Sequence, residues 1–106
     1  MAKYLIRASY TADGAKGVLK EGGSKRRAAA DAAFKSAGCQ MESFYFAFGN
    51  PDAYIVVEAP DHATVSAASL AINATGAVRT ETVVLLTPEE IDAATKKRVK
   101  YRAPGQ

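Results

Sequence analysis

The 106-residue sequence has no tryptophan, one cysteine (Cys39) and one histidine (His62). A single cysteine excludes a disulfide within the chain, and a single histidine gives no spacing typical of a metal site. No run of about 18 apolar residues occurs, so we expect no membrane-spanning helix. The first residues lack an apolar segment of the length that a signal peptide needs. These absences predict a cytoplasmic protein with no metal or other cofactor.

The composition is that of an ordinary soluble domain, with 48% apolar and 24% charged residues. The net charge of +3 is mild, which does not favour nucleic acid as a partner. The length fits one domain over residues 1–106. Of these residues, 22 are alanine, whose methyl group buries little surface. The core is therefore thin, and we expect a partner chain to complete it.

Turn residues and apolar patterns divide the first half of the chain into two strands and two helices. The strands are predicted at residues 3–10 and 40–48. Thr11 begins a short helix that Gly22-Gly23 interrupts, because glycine is unfavourable inside a helix. A second helix has Ser24 as its predicted N-cap and ends at Gly38. Its apolar face consists of Ala30, Ala33, Phe34 and Ala37.

The second half continues with a strand at 53–59, joined to the previous strand by the turn Gly49-Asn50-Pro51-Asp52. Asp61 is the predicted N-cap of a helix from 62 to about 73, and a strand follows at 77–86. Thr87-Pro88-Glu89-Glu90 has the pattern of a capping box and predicts a last helix to about residue 100. The tail from about residue 101 is expected to be loose.

The order β-α-β-β-α-β with a C-terminal helix predicts a ferredoxin-like α+β fold. Such a fold has a four-stranded antiparallel sheet with its helices on one face. Alanine on the buried helix faces favours close packing against the sheet. The second strand ends in Phe44-Tyr45-Phe46-Ala47-Phe48, which is apolar on both faces. We therefore expect the second sheet face to pack against another copy, giving a dimeric α+β barrel.

Five stretches resemble the GYD domain family, from about residue 4 to residue 101. They are Tyr-Leu-Ile-Arg-Ala-Ser-Tyr-Thr at 4–11, Gly14 with Leu19, Gly-Gly-Ser-Lys-Arg-Arg at 22–27, Glu-Ser-Phe-Tyr-Phe-Ala-Phe-Gly at 42–49, and Val-Arg-Thr-Glu-Thr at 78–82. The element that gives the family its name reads Gly49-Asn50-Pro51-Asp52 here, so the tyrosine before the aspartate is absent. The resemblance implies the dimeric α+β barrel fold, whose members include cofactor-free monooxygenases, small isomerases and ligand-sensing domains. It offers no catalytic residue to transfer.

Two groups of residues are candidate ligand sites. Arg7, Arg79 and Glu81 lie on the first and fourth strands, where Tyr45 and Tyr54 can add hydroxyl groups for a small polar or aromatic ligand. The alternative is an interface salt bridge that fixes the register of a dimer. Arg26 and Arg27 follow the glycine pair at a helix start, which is typical of a carboxylate or phosphate site. The alternative for these arginines is a solvated charged turn.

Three residues are candidate general acids or bases: His62, Tyr45 and Asp52. The alternatives are a solvent-facing histidine in a first helical turn and an aspartate that forms the turn. Cys39 has no base near it in sequence and is interpreted as a small half-buried residue. The basic residues 96–102 are interpreted as a solvated helix face rather than a nucleic-acid or membrane site.

Three functions are compatible with these patterns. The first is a homo-oligomer, a dimer or larger, that binds a small molecule between sheet and helices or within the barrel. The second is a cofactor-free enzyme, such as a monooxygenase or an isomerase. The third is a structural or assembly protein whose sheets mediate the contacts.

Overall fold

The computed structural model describes residues 1–47 and 49–106, and these residues form a βαββαβ domain followed by a further helix. The elements are β1 (Ala2–Tyr10), α1 (Ala12–Glu21), α2 (Gly23–Ala37), β2 (Gln40–Phe46), β3 (Ala53–Ala59), α3 (His62–Ala74), β4 (Val78–Leu85) and α4 (Pro88–Thr95). The predicted element order and the break between the first two helices are confirmed. The predicted end of the second strand, Phe48, lies outside the described residues.

The four strands form one antiparallel sheet in the order β2-β3-β1-β4. This arrangement confirms the predicted α+β, ferredoxin-like fold. Side chains alternate across a strand, so one face of β1 buries Tyr4, Ile6 and Ala8. Phe34 of α2 and Val65 of α3 pack into the same core. The helices α2 and α3 therefore cover one face of the sheet.

We call the other side of the sheet the open face. It consists of the odd-numbered residues of β1 (3–9) and β4 (79–85), the even-numbered residues of β3 (54–58), and Ser43 and Tyr45 of β2. Residues on this face are half-buried or exposed. A bulge between Met41 and Ser43 interrupts the ladder of β2, and the Glu42 carboxylate accepts a hydrogen bond from Lys3 Nζ at 2.9 Å.

The predicted helix caps are confirmed at three of four helix starts. Thr11, Asp61 and Thr87 each accept a hydrogen bond from a backbone N–H of the first turn, and Thr87 forms a complete capping box with Glu90. The prediction of Ser24 as an N-cap is wrong, because α2 already begins at Gly23. Gly22 has φ of 84°, a conformation that glycine adopts easily and that turns the chain directly from α1 into α2.

The last helix is shorter than predicted, since α4 ends at Thr95 rather than near residue 100. Lys96, Lys97 and Arg98 follow as consecutive like charges, and every residue from Leu86 to Gln106 is exposed. Short helices gain most of their stability from packing, and none of the residues of this helix is buried. The capping box at Thr87 determines where α4 begins, whereas the sequence has no comparably clear signal for where the helix ends.

Gly14 lies where α1 contacts the chain segment that leads into β4. A Cβ atom at this position would lie 2.0 Å from the carbonyl oxygen of Ala77. Thr11 N–H donates to the same oxygen at 3.0 Å. The missing side chain therefore lets α1 approach the start of β4 closely.

We expect Gly14→Ala to lower the free energy of unfolding by about 1–3 kcal/mol, because the backbone must shift to admit the methyl group. Gly17→Ala is the matched control in the same helix, since nothing lies within 4 Å of its Cβ position. The control should be neutral or stabilising by up to about 1 kcal/mol. Urea denaturation of both variants tests this, and equal stability of the two would contradict the proposed contact.

Candidate functional site

A cleft of about 520 Å³ opens between the helices on the covered side of the sheet. We call it the alanine cleft, because alanines of α2 and α3 form its facing walls. They are Ala33 and Ala37 on α2, and Ala67, Ala68 and Ala71 on α3. The sequence predicts close packing of these alanine faces on the sheet and does not indicate a cleft between the helices. The methyl groups on its two facing walls leave the space between α2 and α3 partly unfilled.

A smaller chamber of about 70 Å³ lies beside the alanine cleft and extends toward the core. Tyr10, Ile72 and Val78 line both cavities, and the chamber also reaches Ile6 and Phe34. The inner wall of the site is therefore apolar, as is common in small-molecule sites.

Polar side chains lie at one end of the alanine cleft. Arg26 of α2 is half-buried, and its Nη1 atom lies 3.7 Å from Glu21 Oε2. Burial raises the pKa of the neighbouring Tyr10, and the positive charge and hydrogen bonding of Arg26 act in the opposite direction. Asp13 of α1 also lines the cleft. This end therefore offers a guanidinium, a phenol that stays protonated at neutral pH, and one carboxylate.

The two arginines predicted as an anion site are separated by the structure. Arg26 lines the alanine cleft, whereas Arg27 is exposed and is not among its lining residues. Phe46 lies against one residue of the glycine pair, since a Cβ atom on Gly23 would lie 3.0 Å from its ring, whereas nothing lies within 4 Å of the Cβ position of Gly22. Sequence reasoning also missed Tyr10 as a lining residue. The alanines at i, i+4 spacing on two helices were the available signal.

The second predicted group lies together on the open face. Tyr45, Tyr54, Arg7 and Glu81 form one row across all four strands, in the order β2-β3-β1-β4. Arg7 Nη1 lies 3.9 Å from Glu81 Oε2, and Arg79 pairs with Ser9 in the same strand pair. These residues are far from a closed pocket and form a polar row on an exposed surface.

The next row of the open face is more apolar and consists of Ser43, Val56, Leu5 and Val83. The sequence predicts that both faces of β2 are apolar, but the residues that β2 contributes to the open face are Ser43 and Tyr45. Phe44 and Phe46 lie on the helix side, with Phe44 packed against the core. The apolar centre of the open face therefore comes mainly from β1, β3 and β4.

The three candidate acids or bases lie in three different places. His62 is beside Tyr4 at one end of β1, Asp52 is beside Tyr10 at the other end, and Tyr45 is on the open face. Tyr4 and Tyr10 are six positions apart on β1, a distance of roughly 20 Å. The structure therefore does not assemble them into one catalytic site.

His62 has a partner that sequence reasoning missed. Its Nδ1 atom lies 2.6 Å from the hydroxyl of Tyr4, whose side chain is only 1% exposed. The two rings meet edge to face at a centroid distance of 5.6 Å. This contact satisfies a phenol that would otherwise be buried without a hydrogen bond.

Cys39 is buried at the start of β2. Burial raises the pKa of its thiol, and the negative charge of Asp61 raises it further. The thiol is therefore protonated and weakly nucleophilic at neutral pH. Within residues 1–47 and 49–106, no three His, Cys, Asp or Glu side chains lie close enough together to hold a metal ion. None of the helices in that part of the chain has the length and apolar content to cross a membrane.

The comparison with protein families identifies one match, in which the sequence model described as GYD domain matches residues 4–95. No curated protein and no solved structure matches the chain.

Asp52 connects the loop after β2 to the end of β1. Its carboxylate accepts a hydrogen bond from the backbone N–H of Tyr10 at 2.8 Å, and its own N–H donates to Ala8 O at 2.8 Å. Its carbonyl oxygen accepts from Ala47 N–H at 2.7 Å. These contacts favour the interpretation of Asp52 as a turn-forming residue over that of an acid or base.

We expect Asp52→Ala to lower the free energy of unfolding by about 1–3 kcal/mol, because the Tyr10 N–H loses a charged acceptor. Asp52→Asn is the matched variant, since its amide oxygen still accepts a hydrogen bond, and it should lose less. Thermal and urea denaturation measure both. An alanine variant as stable as the unmodified protein would contradict the structural role.

Proposed function

We propose that this chain, which belongs to the GYD domain family, is a homodimer that binds a small amphipathic molecule in the alanine cleft of each copy. The observation that carries the proposal is the cleft itself, with its volume of about 520 Å³, alanine walls, and Arg26 with Tyr10 at one end. The open face is the proposed contact between the two copies.

The size and lining of the alanine cleft support a ligand rather than a packing defect. Pockets for small molecules commonly have about 300–1,000 Å³ and apolar walls with a few polar groups. The cleft meets both conditions, and the adjoining chamber extends it toward Ile6 and Phe34. An apolar body between α2 and α3, with an acceptor group facing Arg26 and Tyr10, would use both parts of the site.

The rows of the open face support a contact between two copies. The apolar residues Leu5, Val56 and Val83 lie between the row of Arg7 and Glu81 and a further row that contains Lys3. An apolar centre with a polar rim is the usual arrangement of a protein interface. The exposed pair of Arg7 and Glu81 adds little stability in water. Within a dimer it would fix the register between the sheets.

The ligand proposal predicts that filling the alanine cleft weakens binding of an amphipathic probe. We suggest 8-anilinonaphthalene-1-sulfonate, which combines aromatic rings with one sulfonate, in a fluorescence titration. Ala71→Phe places a ring in the cleft and should weaken probe binding about tenfold or more, equivalent to about 1.4 kcal/mol. Ala74→Phe is the matched control, because it is an exposed α3 alanine outside the cleft lining. Equal affinity of both variants and the unmodified protein would exclude the cleft as the binding site.

The dimer proposal predicts opposite behaviour of two adjacent valines on β4. Val83 is on the open face and Val84 is on the helix side, and they are 42% and 47% exposed. Val83→Glu places a carboxylate in the proposed interface and should convert the dimer to a monomer at micromolar concentration. Val84→Glu should remain dimeric. Multi-angle light scattering measures both, and a monomeric unmodified protein or a dimeric Val83→Glu would contradict the proposal.

A further inference from the structure

The segment that follows β4 is the C-terminal arm, which we define as residues 86–106. Each of its residues is exposed. The chain has a radius of gyration of 17.0 Å and a longest extent of 56 Å. A compact chain of this length has a radius of gyration of about 13 Å. The difference indicates an extended segment, and the arm is the part of the described chain that is exposed throughout.

The arm is a structured segment with apolar residues that no described contact covers. Leu86, Ile91, Val99 and Tyr101 are 60%, 46%, 81% and 78% exposed. Helix α4 has eight residues and begins with a complete capping box. Isolated helices shorter than about 12 residues are marginal in water, even with a good cap. A helix of this length therefore needs a surface against which to pack.

The short connection to β4 limits where that surface can be. Only Leu86 and Thr87 separate β4 from α4, so the direction of the strand determines where the arm lies. In this structure every residue of the arm is exposed, and the residues of the open face are half-buried or exposed. The chain thus has an unpacked arm and an uncovered sheet face at the same time. Association with a second copy covers both the arm and the open face, because a two-fold axis places the arm of each copy against the other copy.

The area of the open face supports the same conclusion. Four strands of seven to nine residues present a face of roughly 500 Å² in projection at ordinary strand spacing. A stable interface usually buries about 800 Å² on each partner. The accessible surface of a face covered by side chains exceeds its projection, so the open face can supply a large share of this value. The exposed apolar residues of the arm, such as Leu86 and Ile91, can add to the area of the same interface.

We infer that the C-terminal arm of each copy packs against the other copy of the homodimer, with Ile91 on the buried side of α4. This inference rests on the proposed homodimer and adds a second contact region to it. Ile91 shares its side of the helix with Pro88 and Ala94, three residues away in each direction. Glu89 and Ala93 lie two residues away and therefore on the opposite side.

The absence of tryptophan from the chain allows a single-tryptophan experiment. Ile91→Trp places an indole on the side of α4 that is inferred to be buried. Ala93→Trp places the same group on the opposite side and serves as the matched control. Both positions are exposed within one chain, so neither substitution disturbs the core. Fluorescence emission and light scattering are recorded on the same samples over a dilution series.

The inference predicts emission at shorter wavelength for Ile91→Trp in the dimer and a shift to longer wavelength as dilution produces monomer. Ala93→Trp should emit at long wavelength throughout. A dimer in which both variants emit at long wavelength would overturn the arm contact and leave the homodimer intact. A short-wavelength emission of Ile91→Trp that persists in the monomer would show that the arm packs on its own chain, and would also overturn it. A protein that is monomeric at all concentrations would overturn the homodimer and, with it, the exchange of arms.

Discussion

The small volume of alanine side chains on α2 and α3 is the constraint from which the main features of this protein follow. The methyl groups on the facing sides of these two helices leave the space between them partly unfilled. The core is therefore built by larger residues of the sheet, with Tyr4, Ile6 and Val57 among its most buried members. Phe34 is the one large residue that α2 contributes to this core. The space that remains becomes the alanine cleft.

A second consequence is that the fold depends on contacts at the ends of the strands. The loop after β2 is joined to β1 through Asp52, and α1 is joined to the start of β4 through Thr11 and Gly14. These contacts use backbone groups and short side chains rather than large apolar surfaces. They fix the positions of Tyr10 and α1, and thus define the polar end of the cleft. A thin core and a well-defined site are compatible because different parts of the chain provide them.

Much of the candidate site could not be predicted from the chain alone. The glycine pair predicts that Arg26 belongs to an anion site at the helix start, whereas the structure places the Phe46 ring beside Gly23 and Arg26 in the lining of the cleft. The sequence predicts Tyr10 as the last residue of a strand. Its position in the cleft depends in addition on how α1 packs beside it. The contact between Tyr4 and His62 joins residues 58 positions apart, and no local pattern indicates it. In contrast, the strand positions of Arg7, Glu81, Tyr45 and Tyr54 predict one group of residues, and the structure places these four in one row.

Local sequence patterns are enough to predict the order of the elements, the caps at Thr11, Asp61 and Thr87, the ferredoxin-like topology and membership of the GYD domain family. These features depend on local preferences and on strand and helix periodicity, which a single chain displays directly. Three-dimensional packing is needed to show that facing alanines leave a cleft, that Arg26 lines it while Arg27 does not, and that every residue of the arm after β4 is exposed. The physical reason is that these properties depend on distances between elements remote in sequence, and those distances are determined by the packing of the whole domain.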